Sequence, residues 1–138
     1  MIIDLNLDTI RNLRELGQAA IYGDASRRDI LEAAGVRKAS YLLVTVPDVL
    51  TRTTVILAAK ELNPALHIFT RARYLRERAW LEEVGATDIS IGEAETAIGL
   101  AILLLQEVGA DGYRIQQEIR KIREEFGIHR RNGQIIQS

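Results

Sequence analysis

The chain has 138 residues, 18 Lys and Arg against 19 Asp and Glu, and a net charge of −1. That length suits one domain with a real core, and 47% hydrophobic residues exclude a disordered chain. No Cys and only two His (His67 and His129) exclude a disulfide scaffold, a thiolate metal site and a cysteine nucleophile and argue against a His-rich metal centre, while the balanced charge argues against a nucleic-acid partner.

The chain alternates short apolar runs with helical stretches. Residues 1–5 read as a strand ending in Asp4. Residues 8–16 read as a helix, with Asp8 as its N-cap, Ile10, Leu13 and Leu16 on one face and Gly17 as the stop. Residues 19–22 are a second strand. Ser26 then opens a helix with Asp29 as the capping-box acid, Ile30, Leu31 and Ala34 inward and Gly35 at its end. Residues 41–46 form a nearly unbroken apolar run of the kind expected of a buried parallel strand. Residues 50–62 are helical up to Asn63-Pro64, 66–70 are a strand, 74–84 a helix closed by Gly85, and 88–91 the fifth strand. Strands separated by helices of this length imply right-handed βαβ units and a parallel sheet.

The rhythm changes after Gly92. Residues 93–108 read as a long helix that is apolar almost all round between 97 and 105. Gly109-Ala110-Asp111-Gly112 is a turn. In the next helix Ile115, Ile119, Ile122 and Phe126 follow an a/d spacing, either a partner surface or core within the domain. Charge also shifts here: residues 114–138 carry +3, the first 113 carry −4. Asn132-Gly133 is a hairpin-type turn signal in a tail that is as readily a frayed terminus. No apolar run approaches the ~20 residues a bilayer span needs, no basic-plus-apolar leader opens the sequence, and the expected compartment is the cytoplasm.

Polar residues gather where strands end. Asp4 closes the first strand, where a carboxylate can accept both hydroxyls of a ribose or merely begin a turn. Gly23, Asp24, Ala25 and Ser26 join a strand to a helix; glycine lets a ligand approach the backbone, and a helix N-terminus favours anionic groups. Thr45 and Val46, before Pro47 and Asp48, end the third strand. Arg71 and Arg73 follow the fourth, where guanidinium groups suit phosphate or carboxylate. Arg76 and Arg78, beside Glu77, Glu82 and Glu83, read as a solvated face, and His67 as structural. No Ser/His/Asp set, spaced His pair or carboxylate dyad is present, so catalysis is not expected.

In order, Ile3-Asp4, Leu16-Gly17, Tyr22-Gly23-Asp24-Ala25-Ser26, Leu31-Glu32-Ala33-Ala34-Gly35-Val36, Leu43-Val44-Thr45, Glu61-Leu62-Asn63-Pro64, Arg71-Ala72-Arg73 and Leu81-Glu82-Glu83-Val84-Gly85-Ala86 resemble the RCK, or TrkA-N, domain across residues 2–91. The Arg-Ala-Arg and Ile91-Gly92-Glu93 are similar to the cytoplasmic part of Kef-type cation/proton antiporters. The resemblance implies a Rossmann-like three-layer α/β domain and a dimeric, non-catalytic sensor of NAD(H), AMP or ATP that regulates potassium or other monovalent-cation transport through a membrane partner. It implies Asp4 as the ribose acid, Gly23 to Ser26 at the adenine side, Thr45 and Val46 near ribose and phosphates, and Arg71 and Arg73 as a basic edge.

The family pattern opens with a strand and Gly-x-Gly-x-x-Gly, which seats a pyrophosphate. These residues begin at its second strand, and Arg52 follows Thr51 where Kef-type members tend to have Asn. The expectation is therefore a truncated domain over residues 1–92, then a helical extension and basic tail over 93–138, with the halves closed into one five-stranded parallel sheet of order 2-1-3-4-5 as the favoured outcome and contacts supplied by a second chain as the alternative. The chain is expected to derive from a longer, membrane-bound protein. Two alternatives are an assembly module that has lost nucleotide binding and a small NAD(P)-dependent oxidoreductase.

Overall fold

The computed structural model describes residues 1–128. It divides into two compact units, one of Met1–Ala72 with Glu77–Ser90, the other of Arg73–Arg76 with Ile91 and the residues after it.

The first unit opens with β1 (Ile2–Asp4), α1 (Leu7–Glu15), β2 (Ala20–Tyr22), α2 (Arg28–Ala33) and a 3-10 turn, Val36–Lys38. β3 (Tyr41–Val44), α3 (Val49–Leu62), β4 (His67–Ala72), a second 3-10 turn (Leu75–Glu77), α4 (Arg78–Glu83) and β5 (Asp88–Ile91) follow. Both registered ladders are parallel: Ile2 lies opposite Ala20 and Asp4 opposite Tyr22, while Tyr41 lies opposite His67 and Val44 opposite Thr70.

The strands form two sheets, β1-β2 and β3-β4-β5, so the single sheet of order 2-1-3-4-5 is not made. The halves meet instead through α2 packed on α3. Leu31 of α2 is wholly buried, as is Ile56 of α3. Ile10, Leu66, Ile68 and Leu81 are buried as well.

Local signals account for most element ends. Gly17, Gly35 and Gly85 take positive φ at helix exits (76°, 85° and 111°), a region other residues avoid. The N-cap of α1 is Asn6, not Asp8: its side chain accepts the N–H groups of Asp8 and Thr9 at 2.9 and 3.2 Å. Ser26 does not cap α2 either. That helix starts at Arg28 without a side-chain cap, because Asp24 takes the Ser26 N–H and Arg27 pairs with Asp29. β3 is half-covered rather than buried, with Tyr41 and Leu43 exposed at 67% and 71%.

In the second unit α5 (Gly92–Glu107) packs with α6 (Gly112–Glu125), whose N-cap Asp111 accepts the Arg114 N–H. The Arg123 guanidinium pairs with Glu95 at 3.2 Å across the two helices. Ile115, Ile119, Ile122 and Phe126 are half-buried. The Asn132-Gly133 signal and His129 lie outside the described residues.

Candidate functional site

At the C-terminal ends of β1, β2 and β3 the first unit holds a cavity of about 240 Å³. Asp4, Gly23, Asp24, Ala25, Thr45 and Val46 line it, together with Pro47, Thr51 and Val55. A parallel sheet brings these ends to one edge, so three separate turns converge.

Each turn is held by its own hydrogen bonds. Asp4 Oδ1 accepts the Asn6 N–H at 2.7 Å, which orients the carboxylate. The Gly23 N–H donates to the Asp4 carbonyl at 3.0 Å, carrying the ladder one step past the strands. A Cβ on Gly23 would come within 2.7 Å of the Ile30 side chain, so any larger residue here requires that side chain to shift. Asp24 accepts the Ser26 N–H at 2.8 Å, and hydrogen bonds from the Ser26 side chain and backbone hold its carboxyl below the usual value. Asp48 caps α3 by accepting the Thr51 N–H and hydroxyl at 2.8 and 2.7 Å, which depresses its carboxyl likewise.

Beneath the third turn lies a residue assigned no role from sequence. Arg52 is 1% exposed. Its guanidinium donates to the Val46 carbonyl at 3.0 Å, the Pro47 carbonyl at 2.9 Å and the Arg71 carbonyl, and lies 3.3 Å from Glu77. Five donors in a rigid fork suit it to gather the loose ends of two neighbouring strands. The side chain is structural, below the cavity rather than in it. Its only sequence signal was a charge four residues after Asp48, on the side of α3 that carries Val55, Ile56 and Ala59.

The remaining candidates stand apart. Ser26 and Arg71 do not line the cavity. Arg73 belongs to the second unit, where its guanidinium lies 5.1 Å from the Tyr74 ring centre, and Arg76 lies 4.5 Å from the same ring. Arg78 pairs with Glu82 at 2.9 Å. His67 bonds Asp88 at 2.7 Å and stacks on Phe69, a structural placement. Thr51 and Val55 were missed, though Pro47 stood in the Thr45-Val46-Pro47-Asp48 turn singled out from sequence. The cavity thus offers carboxylates, threonine hydroxyls and an apolar floor, a set that suits a ligand with hydroxyls and a flat apolar part. Among the described residues no cluster of His, Asp or Glu could hold a metal ion, and no helix is long and apolar enough to cross a membrane.

The TrkA-N domain family matches residues 1–91. The chain belongs to that family. It is 33% identical over 117 residues to the glutathione-regulated potassium-efflux system protein KefC of Enterobacter sp. (strain 638), covering 85% of this chain and 19% of that protein. It is 31% identical over 104 residues to the putative cation/proton antiporter YbaL of Escherichia coli (strain K12), covering 75% and 19%. The chain therefore spans about a fifth of the length of these relatives. The crystal structure of the TrkA-N domain of the E. coli inner membrane protein YbaL matches with a TM-score of 0.71 at 31% identity, over 74% of this chain and 76% of that one. A Kef C-terminal domain from Shewanella denitrificans, in an AMP-bound form, shares the fold with a TM-score of 0.65 at 20% identity, over 93% and 98%. The Rossmann-like α/β fold class of this TrkA-N chain follows from these matches.

Proposed function

We propose that this TrkA-N chain is a non-catalytic sensor of an adenine nucleotide (AMP, ATP or NAD(H)) in a monovalent cation/proton transport system, acting on the cytoplasmic side. The observation that carries the reading is Asp4 at the end of β1, facing the same 240 Å³ cavity as the Gly23–Ala25 and Thr45–Pro47 turns. A carboxylate there accepts ribose hydroxyls, and the apolar floor takes the base. The AMP-bound Kef domain and the transport roles in the relatives' names support it. Arg71 and Arg73 remain candidates for the phosphates, though neither belongs to the cavity lining. The ligand acts by favouring one of two arrangements of the assembly.

Thermal unfolding with AMP, ADP, ATP, NAD, NADH and NADP tests the reading. A ligand at 100 times its Kd stabilises by about 2.7 kcal/mol, a shift of several degrees at this size. Asp4→Ala is expected to abolish the shift while moving the unliganded midpoint little. If no nucleotide shifts the wild-type midpoint, the sensing role falls and the assembly role stands.

The homodimer contact belongs on α5, where Leu100, Leu103 and Leu104 are 63–64% exposed on one face. The half-buried Ile115–Phe126 seam of α6 is a weaker candidate, since α6 already packs on α5. Leu100→Asp with Leu103→Asp is expected to halve the mass seen by light scattering. An unchanged mass removes this face from the dimer.

A further inference from the structure

The partners of Arg52 fall into two pairs. Val46 and Pro47, whose carbonyls accept from its guanidinium at 3.0 and 2.9 Å, line the cavity, as does Thr51 next to Arg52 in the chain. Arg71, whose carbonyl accepts from the same fork, and Glu77, whose carboxylate lies 3.3 Å from it, stand on either side of residues 73–76. All four partners belong to the first unit, whereas residues 73–76 belong to the second. The chain leaves the first unit after Ala72 and re-enters it at Glu77, so Arg52 holds it at both ends of that excursion.

Within the second unit the same four residues are bound to the first turn of α5 from both directions. The Glu93 N–H donates to the Arg73 carbonyl at 3.1 Å, and the Leu75 N–H donates to the Glu93 carboxylate. α5 also carries Leu100, Leu103 and Leu104, the face proposed for the dimer contact.

A planar guanidinium keeps fixed angles between its donors. Arg52 is buried, so water cannot take the place of a lost partner. A shift of the Val46 and Pro47 carbonyls therefore either breaks a bond away from water, which is costly, or carries the fork, the Arg71 carbonyl and Glu77 along with it. A lysine ammonium on its flexible stem could follow one of these groups but could not bridge all four.

We propose that Arg52 is a positioning residue for the ligand site: it couples the Thr45–Pro47 turn to residues 73–76, so that a ligand settling on the turn also orders the segment that holds Glu93 at the start of α5. The identity of the ligand rests on the nucleotide reading above; the link itself rests on the contacts of Arg52. Such a coupling is reciprocal, so loosening the segment also loosens the turn.

Amide hydrogen exchange on the whole isotopically labelled chain reads both ends. The Thr51 amide, which donates to Asp48, reports the turn, and the Glu93 amide reports the segment. Without nucleotide, Pro47→Gly is expected to speed exchange at Glu93 about threefold, and Glu93→Ala to speed exchange at Thr51 to a similar extent. Both cross-effects are expected to vanish in Arg52→Lys. Glu77→Ala, which leaves the three carbonyl bonds in place, is expected to weaken them and serves as the second variant if Arg52→Lys does not fold. With AMP at about ten times its Kd, exchange is expected to slow at Thr51 and Glu93 in the wild type, but at Thr51 alone in Arg52→Lys. An unchanged Glu93 rate in Pro47→Gly overturns the link, as do cross-effects that persist at full strength in both variants. Slowing by AMP at Thr51 without slowing at Glu93 in the wild type overturns it too. If AMP does not bind the wild type, the nucleotide reading falls, and the cross-effects measured without nucleotide still decide the link.

Discussion

The first unit holds two cavities that share Ile3, Ala25, Thr45, Val46 and Val55, yet they differ in kind. The larger runs along the strands and is bounded by open backbone edges and apolar side chains. The smaller sits past the strand ends, where turns carry Asp4, Asp24, Thr45 and Thr51. A parallel strand buried beside helices is apolar along its length, and its polar residues collect where it stops. The same five residues therefore border an apolar slot on one side and a polar-rimmed pocket on the other.

The sharpest way to break that contrast is Arg52→Met. It leaves the Val46, Pro47 and Arg71 carbonyls and Glu77 without their shared donor. Breaking a buried pair in this way costs about 3 kcal/mol, to be read as a lower urea midpoint. The nucleotide-dependent thermal shift is expected to vanish with it, because the Thr45–Pro47 turn loses its support. Arg52→Lys keeps the charge without the fork and is expected to fall between. A cost below about 1 kcal/mol would show that the guanidinium is not what holds the turn.

A smaller effect separates the cavities by pH. Asp24 and Asp48 both have carboxyls held below their ordinary value by Ser26 and Thr51. The folded state binds their protons less readily than the unfolded chain, so their contribution is present in full above about pH 4, the unfolded value, and is lost as pH falls through the folded values. Urea midpoints are therefore expected to hold level between about pH 7 and pH 5 as far as these groups are concerned, then decline. Asp24→Asn with Asp48→Asn is expected to flatten the decline. An equally steep decline in the double variant would place the acid sensitivity elsewhere. The lining of the larger cavity contains no carboxyl.

The elements were legible one by one. β5 appears at 88–91 as read, and α3 ends at Asn63-Pro64. Caps were less legible, because Asn6 and Asp8 are both good N-cap residues and only the path of the chain out of β1 chose Asn6. In the site, Asp4, Gly23, Asp24, Ala25, Thr45 and Val46 were legible because strand ends follow directly from the strand pattern. Arg71 read as a neighbour because the fourth strand was expected to end at Thr70, but β4 runs on to Ala72, so Arg71 lies within the strand.

Local chemistry along the chain determined the order of strands and helices, the glycine exits at Gly17, Gly35 and Gly85, and the polar strand ends, since each depends on a few neighbouring residues. Tertiary structure alone decided that the five strands form two sheets, that a slot separates β1 from β3, and that Arg52 lies buried beneath a turn. Those outcomes depend on α2 packing against α3 and on carbonyls from β4 and from the turn after β3 meeting at one guanidinium, contacts between residues up to 33 positions apart.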